Sequence, residues 1–124
     1  MNTLSNWFLR LSVVYLIAGV GFGIFMAASH DHSMAPVHAH INLLGWVSMA
    51  IFGLFYRAFP QAEQTRLAKV HFWAYVPALL VQMVALGMLF KGHTQAEPVL
   101  AVASILVAIA VACFACLVWS NTRR

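Results

Sequence analysis

The sequence predicts an all-α membrane protein, a four-transmembrane-helix up-down bundle that occupies residues 1–124 as a single integral membrane domain. Three observations lead there. Hydrophobic residues make up 63% of the chain and charged residues 8%, a balance too apolar for a soluble bundle that must clothe its surface in polar side chains. The apolar residues fall into four uncharged stretches, 11–28, 41–56, 70–90 and 98–120, each near the ~17 to 25 residues that cross a bilayer at about 1.5 Å per residue. The connections between them are short, as antiparallel neighbours require.

The first helix, about 8–28, carries Arg10 in its first turn, ahead of an apolar run that ends in Ala27-Ala28-Ser29. Its apolar run exceeds the ~7 to 15 residues of a secretory signal, so it reads as a membrane helix. Gly19 and Gly23 form a G-xxx-G pair that permits close approach of a neighbouring helix or a flat cofactor. The second helix, about 38–59, has Pro36 at or near its start, where a missing N–H costs little, and Pro60 closing it. Gln61-Ala62-Glu63-Gln64 then forms a polar turn.

The third helix, about 70–90, is bounded by Lys69 and Lys91, which snorkel to opposite interfaces, with Trp73 and Tyr75 as aromatic anchors. Pro77 inside it predicts a kink or a carbonyl left for another partner. The fourth helix, about 98–120, carries Cys113 and Cys116 three residues apart; thiols in an apolar helix act as small hydrophobes, so packing is preferred over redox chemistry. The alanines at 101, 108, 112 and 115 give that helix a small-residue face suited to association.

Orientation follows from the cations. Arg10, Arg57, Arg66, Lys69, Arg123 and Arg124 lie on one side of the predicted topology and Lys91 alone on the other. The positive-inside rule then places both termini in the cytoplasm, consistent with a bacterial inner membrane, and the first and third connections in the periplasm. Topology thus accounts for the net charge of +4, and no basic stripe with interleaved aromatics outside the bilayer supports nucleic-acid binding. The partners expected are the lipid bilayer and either further copies of the chain, as a homo-oligomer, or subunits of a respiratory complex.

Four of the six histidines, His30, His32, His38 and His40, fall within eleven residues at the mouth of the second helix. Neutral imidazole ligates haem iron, copper and zinc, and ionisable groups at the edge of a bilayer are functional candidates. On a helix His38 and His40 point about 200° apart, so one alone faces the bundle; in an extended chain both rings project to one side and suit a single metal. His71 and His93 stand at opposite ends of the third helix, roughly 33 Å apart, too far to share a site within one subunit. Three or four imidazoles from His30, His32, His38 and His40 would suit copper or zinc.

The stretch His38-Ala39-His40-Ile41-Asn42-Leu43-Leu44-Gly45-Trp46, with Gly53-Leu54-Phe55-Tyr56 and Pro60 after it, resembles the second helix of subunit I in the haem-copper oxidase superfamily, above all its nitric oxide reductase branch. Arg66 to Leu80, with Phe72-Trp73 and Pro77, is similar to the start of that family's third helix, and the His-Ala-His, Gly and Pro pattern is similar to NnrS-type haem and copper membrane proteins. The resemblance implies that the histidine opening the second helix is an axial ligand of haem b. Aligned on Asn-Leu-Leu, that histidine is His40; aligned on the spacing to Gly53, it is His38. His93, His30 or His32, or a histidine of another subunit, would supply the second ligand, and nothing is carried onto His71.

The later helices that hold the family's catalytic copper and high-spin haem have no counterpart in these four segments. A haem-b-binding protein with a role in electron transfer or in diatomic-gas and nitric-oxide redox chemistry is therefore expected, and a stand-alone oxidase is not. The alternatives from other classes are a periplasm-facing copper or zinc binder and a cofactor-free accessory subunit of a respiratory complex.

Overall fold

The computed structural model describes residues 3–123, which are helical throughout apart from short connections, with no strand among them. Four helices are long and apolar enough to cross a membrane: α1 (Thr3–Ser29), α2 (Ala35–Ala58), α3 (Arg66–Phe90) and α4 (Glu97–Thr122, entered through a 3₁₀ turn at Thr94–Ala96). The chain is an all-α membrane bundle. The helices start before the uncharged stretches seen in the sequence, α1 at Thr3, α2 at Ala35 and α3 at Arg66 against 11, 41 and 70. Polar groups there still satisfy helix ends outside the hydrocarbon, so an absence of charge underestimates helix length.

Local chemistry sets the ends. Thr65 caps α3, its Oγ1 accepting from the Ala68 N–H at 3.1 Å. At the far end Gly92 adopts φ +92°, with the Gly92 N–H bonded to the Leu89 carbonyl and the His93 N–H to the Met88 carbonyl, each at 3.0 Å. This left-handed stop consumes the last carbonyls of α3 and turns the chain into α4. Pro36 stands in the first turn of α2 as expected. Pro60 does not simply close that helix: Phe59 ends it, and Pro60 starts a separate single turn, Pro60–Glu63, in which Ala62 and Glu63 are buried. The expected polar turn is half core, because proline ends one helix yet suits the first position of the next.

The helix α2 is not uniform. Its segment Ile41–Val47 is π-helical, with the Ser48 N–H reaching back five residues to the Leu43 carbonyl. Ser48 Oγ also donates to the Leu43 carbonyl at 2.7 Å, and Tyr75 on α3 donates its hydroxyl to the Leu44 carbonyl at 2.6 Å. A π segment widens the helix and leaves carbonyls accessible to such side-chain donors, which in a bilayer must come from protein.

Two helix pairs, α1 with α2 and α3 with α4, meet around an aromatic core. Phe8, Phe52, Tyr56, Phe72 and Tyr75 are buried there, with Phe114 packed against them. At its centre lies His71, fully buried, its ring 4.5 Å from that of Phe52, 5.1 Å from Phe8 and 5.2 Å from Phe114. The sequence placed His71 at the mouth of the third helix. Because α3 starts at Arg66 and the turn at Pro60–Glu63 covers its first residues, His71 is inside instead. Its Nδ1 is 2.8 Å from the Tyr56 hydroxyl and its Nε2 has no hydrogen-bond partner among the described residues. Gln82, further along the same face, donates to Ser104 Oγ at 2.9 Å and ties α3 to α4.

A buried polar pair is costly to break on one side and nearly neutral to replace whole. His71→Phe alone, which strands the Tyr56 hydroxyl, is expected to lower stability by about 1–3 kcal/mol. Tyr56→Phe combined with His71→Phe should recover most of that loss, as read by thermal unfolding of the detergent-purified protein. A double variant no more stable than the single one would contradict the pairing.

Candidate functional site

The helix runs through both histidines of the His-Ala-His motif, so the extended arrangement that would aim them at one metal is not formed. They part as helical geometry requires. His38 turns toward α1, where its Nε2 is 3.0 Å from the Gly19 carbonyl and 3.2 Å from the Asn42 amide nitrogen, and its ring stacks on Phe22 at 6.1 Å. A carbonyl can only accept, so the Gly19 contact is a hydrogen bond when His38 Nε2 carries the proton; the Asn42 amide nitrogen, also a donor, is then a neighbour and not a partner.

The glycines of α1 make this contact possible. A side chain at Gly19 would collide with the Asn42 side chain, and one at Gly23 would put its Cβ 3.0 Å from His38 Nε2. The G-xxx-G pair therefore serves packing within the chain, against the π segment and His38. Gly45 is filled in the same way by the Tyr15 ring. With Gly19, Gly23 and Gly45 all closed against neighbouring side chains, the α1–α2 interface leaves no slot for a flat macrocycle between these two helices.

His40 faces away from that interface. Its Nδ1 is 2.7 Å from the Pro36 carbonyl, one turn back on its own helix. The same logic puts a proton on Nδ1, and Nε2, the nitrogen that bears the lone pair in a neutral imidazole, makes no hydrogen bond among the described residues. Metal-ligating histidines are commonly held in this way, one ring nitrogen donating to a carbonyl while the other points at the ligand. Beneath His40 on the same face of α2 run Leu43, Val47, Ile51 and Leu54, all exposed.

The remaining candidates lie on the connections at this end. His30 is exposed and adopts φ +57° where α1 stops, and His32 and His93 are exposed as well. Between His30 and His32, Asp31 accepts from the Ser33 N–H at 3.0 Å, a bond that holds its carboxyl below the usual range, with Lys91 and His32 adding to the effect. Met34, from the same connection, packs against Gly87 near the end of α3. No group of three or more His, Cys, Asp or Glu side chains is gathered for a metal ion among the described residues. Cys113 is partly buried and Cys116 exposed, both as free thiols.

Two polar features escaped the sequence reading. One is the Tyr56–His71 pair. The other is Glu63, 4% exposed, which accepts from the Ser5 N–H at 2.8 Å at the start of α1. The signal for His71 was present in the spacing of Ala68, His71, Tyr75, Ala78 and Gln82, an alternation of three and four residues that makes one inward seam. Comparison with protein-family models, curated proteins and solved structures finds no match for this chain.

The glycine contacts yield an ordered expectation for thermal unfolding in a single detergent. Gly19→Ala should be clearly destabilising and Gly23→Ala less so, because a ring can move further than a wedged amide. Gly21→Ala, whose new Cβ meets nothing, should be neutral or up to about 1 kcal/mol stabilising from helix propensity. Equal effects at all three positions would contradict the α1–α2 interface described.

Proposed function

We propose that the chain is a haem-b-binding membrane protein in which His40 supplies an axial imidazole, serving electron transfer or a redox role toward a diatomic gas such as nitric oxide. The observation that carries this reading is the orientation of His40, whose Nδ1–H is held by the Pro36 carbonyl while Nε2 stays available. His38, the other alignment of the motif, already uses its Nε2 to join α2 to α1. The donor chemistry and the apolar face beneath His40 fit a haem edge, and the closed α1–α2 interface directs the macrocycle to the outer face of α2. Bound there, haem b supplies a one-electron couple and an iron that exchanges small ligands.

A haem on an outer face needs a second wall and, for six-coordination, a second ligand. Another copy of the chain or a subunit of a respiratory complex would provide the wall, and the equivalent histidine of that copy, or His93, His30 or His32, the ligand. The exposed alanines 101, 108, 112 and 115 of α4 remain available for such association. The cation distribution supports a bacterial inner membrane with both termini in the cytoplasm and the histidine-rich end in the periplasm.

Purified with ample haem during expression, the protein should show a sharp Soret band and a resolved α band on reduction. His40→Ala should remove most of the bound haem, and His38→Ala should lower thermal stability while leaving a folded, haem-retaining fraction. A colourless wild-type protein, or full haem content in His40→Ala, would overturn the proposal. Orientation has its own test: in intact cells a cysteine at Ser33 should react with an impermeant thiol reagent and one at Gln64 should not. The reverse labelling pattern would invert the topology.

A further inference from the structure

At the end of the bundle opposite the His-Ala-His motif, where the turn Pro60–Glu63 binds Ser5 through Glu63 and Asn121 through Gln61, a cleft of about 680 Å³ opens between α1 and α3. Its wall changes character along its length. Glu63 and Lys69 lie at the polar end, Leu11 and Phe72 line the apolar part, and the indoles of Trp7 and Trp73 flank it, both well exposed. Paired indoles at a helix end mark the depth of lipid headgroups. Glu63 is the unusual member: one carboxyl oxygen accepts from the Ser5 N–H, while the other is buried with no partner among the described residues. An unpartnered buried carboxyl oxygen calls for a hydrogen-bond donor.

A ligand complementary to this cleft carries an N–H donor for Glu63, an anion for Lys69 and a hydrocarbon tail for the apolar wall. An ethanolamine phospholipid has all three. A choline head offers a cation with no N–H and leaves the Glu63 oxygen unsatisfied, and a glycerol head offers no ammonium. We propose that this cleft binds phosphatidylethanolamine, with its ammonium at Glu63, its phosphate at Lys69 and an acyl chain running past Leu11 and Phe72 between the two indoles. The site is remote from His40 and independent of any cofactor there.

The test is native mass spectrometry of the full-length protein released from detergent after incubation with dioleoyl phosphatidylethanolamine, phosphatidylcholine or phosphatidylglycerol. Phosphatidylethanolamine should be retained on the order of tenfold more tightly than phosphatidylcholine, the scale of one charge-assisted hydrogen bond. Glu63→Gln, which keeps an acceptor for Ser5, should reduce it to the phosphatidylcholine level, and Lys69→Gln should weaken all three lipids. Equal retention of phosphatidylethanolamine and phosphatidylcholine, tightest binding of phosphatidylglycerol, or an ethanolamine preference that survives Glu63→Gln would each overturn the proposal. If circular dichroism shows Glu63→Gln unfolded, the exposed Lys69→Gln variant decides, and undiminished phosphatidylethanolamine binding to it would overturn the proposal.

Discussion

The close approach of α1 to α2 is the constraint on which the rest of the bundle depends. In lipid there is little hydrophobic gain from pressing one apolar helix on another, so association relies on tight contact and on polar groups that find partners in protein. Glycines permit that contact along the whole interface: Gly19 receives the Asn42 side chain, Gly45 receives Tyr15, and Gly53 lies against Leu9 and accepts the Ser5 hydroxyl at 2.8 Å. This last bond continues into a polar chain, since Arg57 donates to Ser5 Oγ at 3.2 Å and to Asn6 at 2.6 Å. The azimuth of α2 is therefore fixed at several heights. His38 is held inward, and His40, two residues on, is turned outward as a geometric consequence.

The same interface builds the core. With α1 and α2 locked together, Phe8, Phe52 and Tyr56 form one wall of an aromatic box, and α3 closes it with His71, Phe72 and Tyr75. The edge-to-face contacts of Phe52 with Tyr75 at 4.9 Å and with His71 at 4.5 Å give this box directional packing that leucine would lack. The imidazole completes the box as an aromatic ring, and its single hydrogen bond to Tyr56 serves both polar groups at once.

Fold class was legible because membrane spanning imposes a crude and strong signal: length, low charge and short connections were enough to place all four helices. Details requiring tertiary context were not. The π segment has no composition that distinguishes Ile-Asn-Leu-Leu-Gly-Trp-Val from α-helix; it depends on donors supplied by Tyr75 and Ser48. Glu63 looked like a turn residue because its neighbours are polar, and its burial comes from the start of α1 folding over it. At the candidate site the sequence offered both histidines of one motif as the ligand. What sets the two apart is a hydrogen bond to Pro36 and a glycine on another helix, neither of which spacing along the chain can report.

The π segment also has a meaning for how this helix tolerates change. It absorbs one residue more than an α-helix of the same rise, so the part of α2 that carries the histidines and the part that carries Phe52 and Tyr56 keep their relative phase through this wide turn. Each residue of an α-helix turns the chain by about 100°. Tightened to α-helix at the same residue count, Ile41–Val47 would swing the two halves past each other by about that angle, so His38 and the aromatic box could no longer both face α1. A substitution that removes the donors holding the wide turn, Tyr75 or Ser48, can therefore re-aim an entire end of the protein, whereas loss of one residue within the turn leaves both ends in phase.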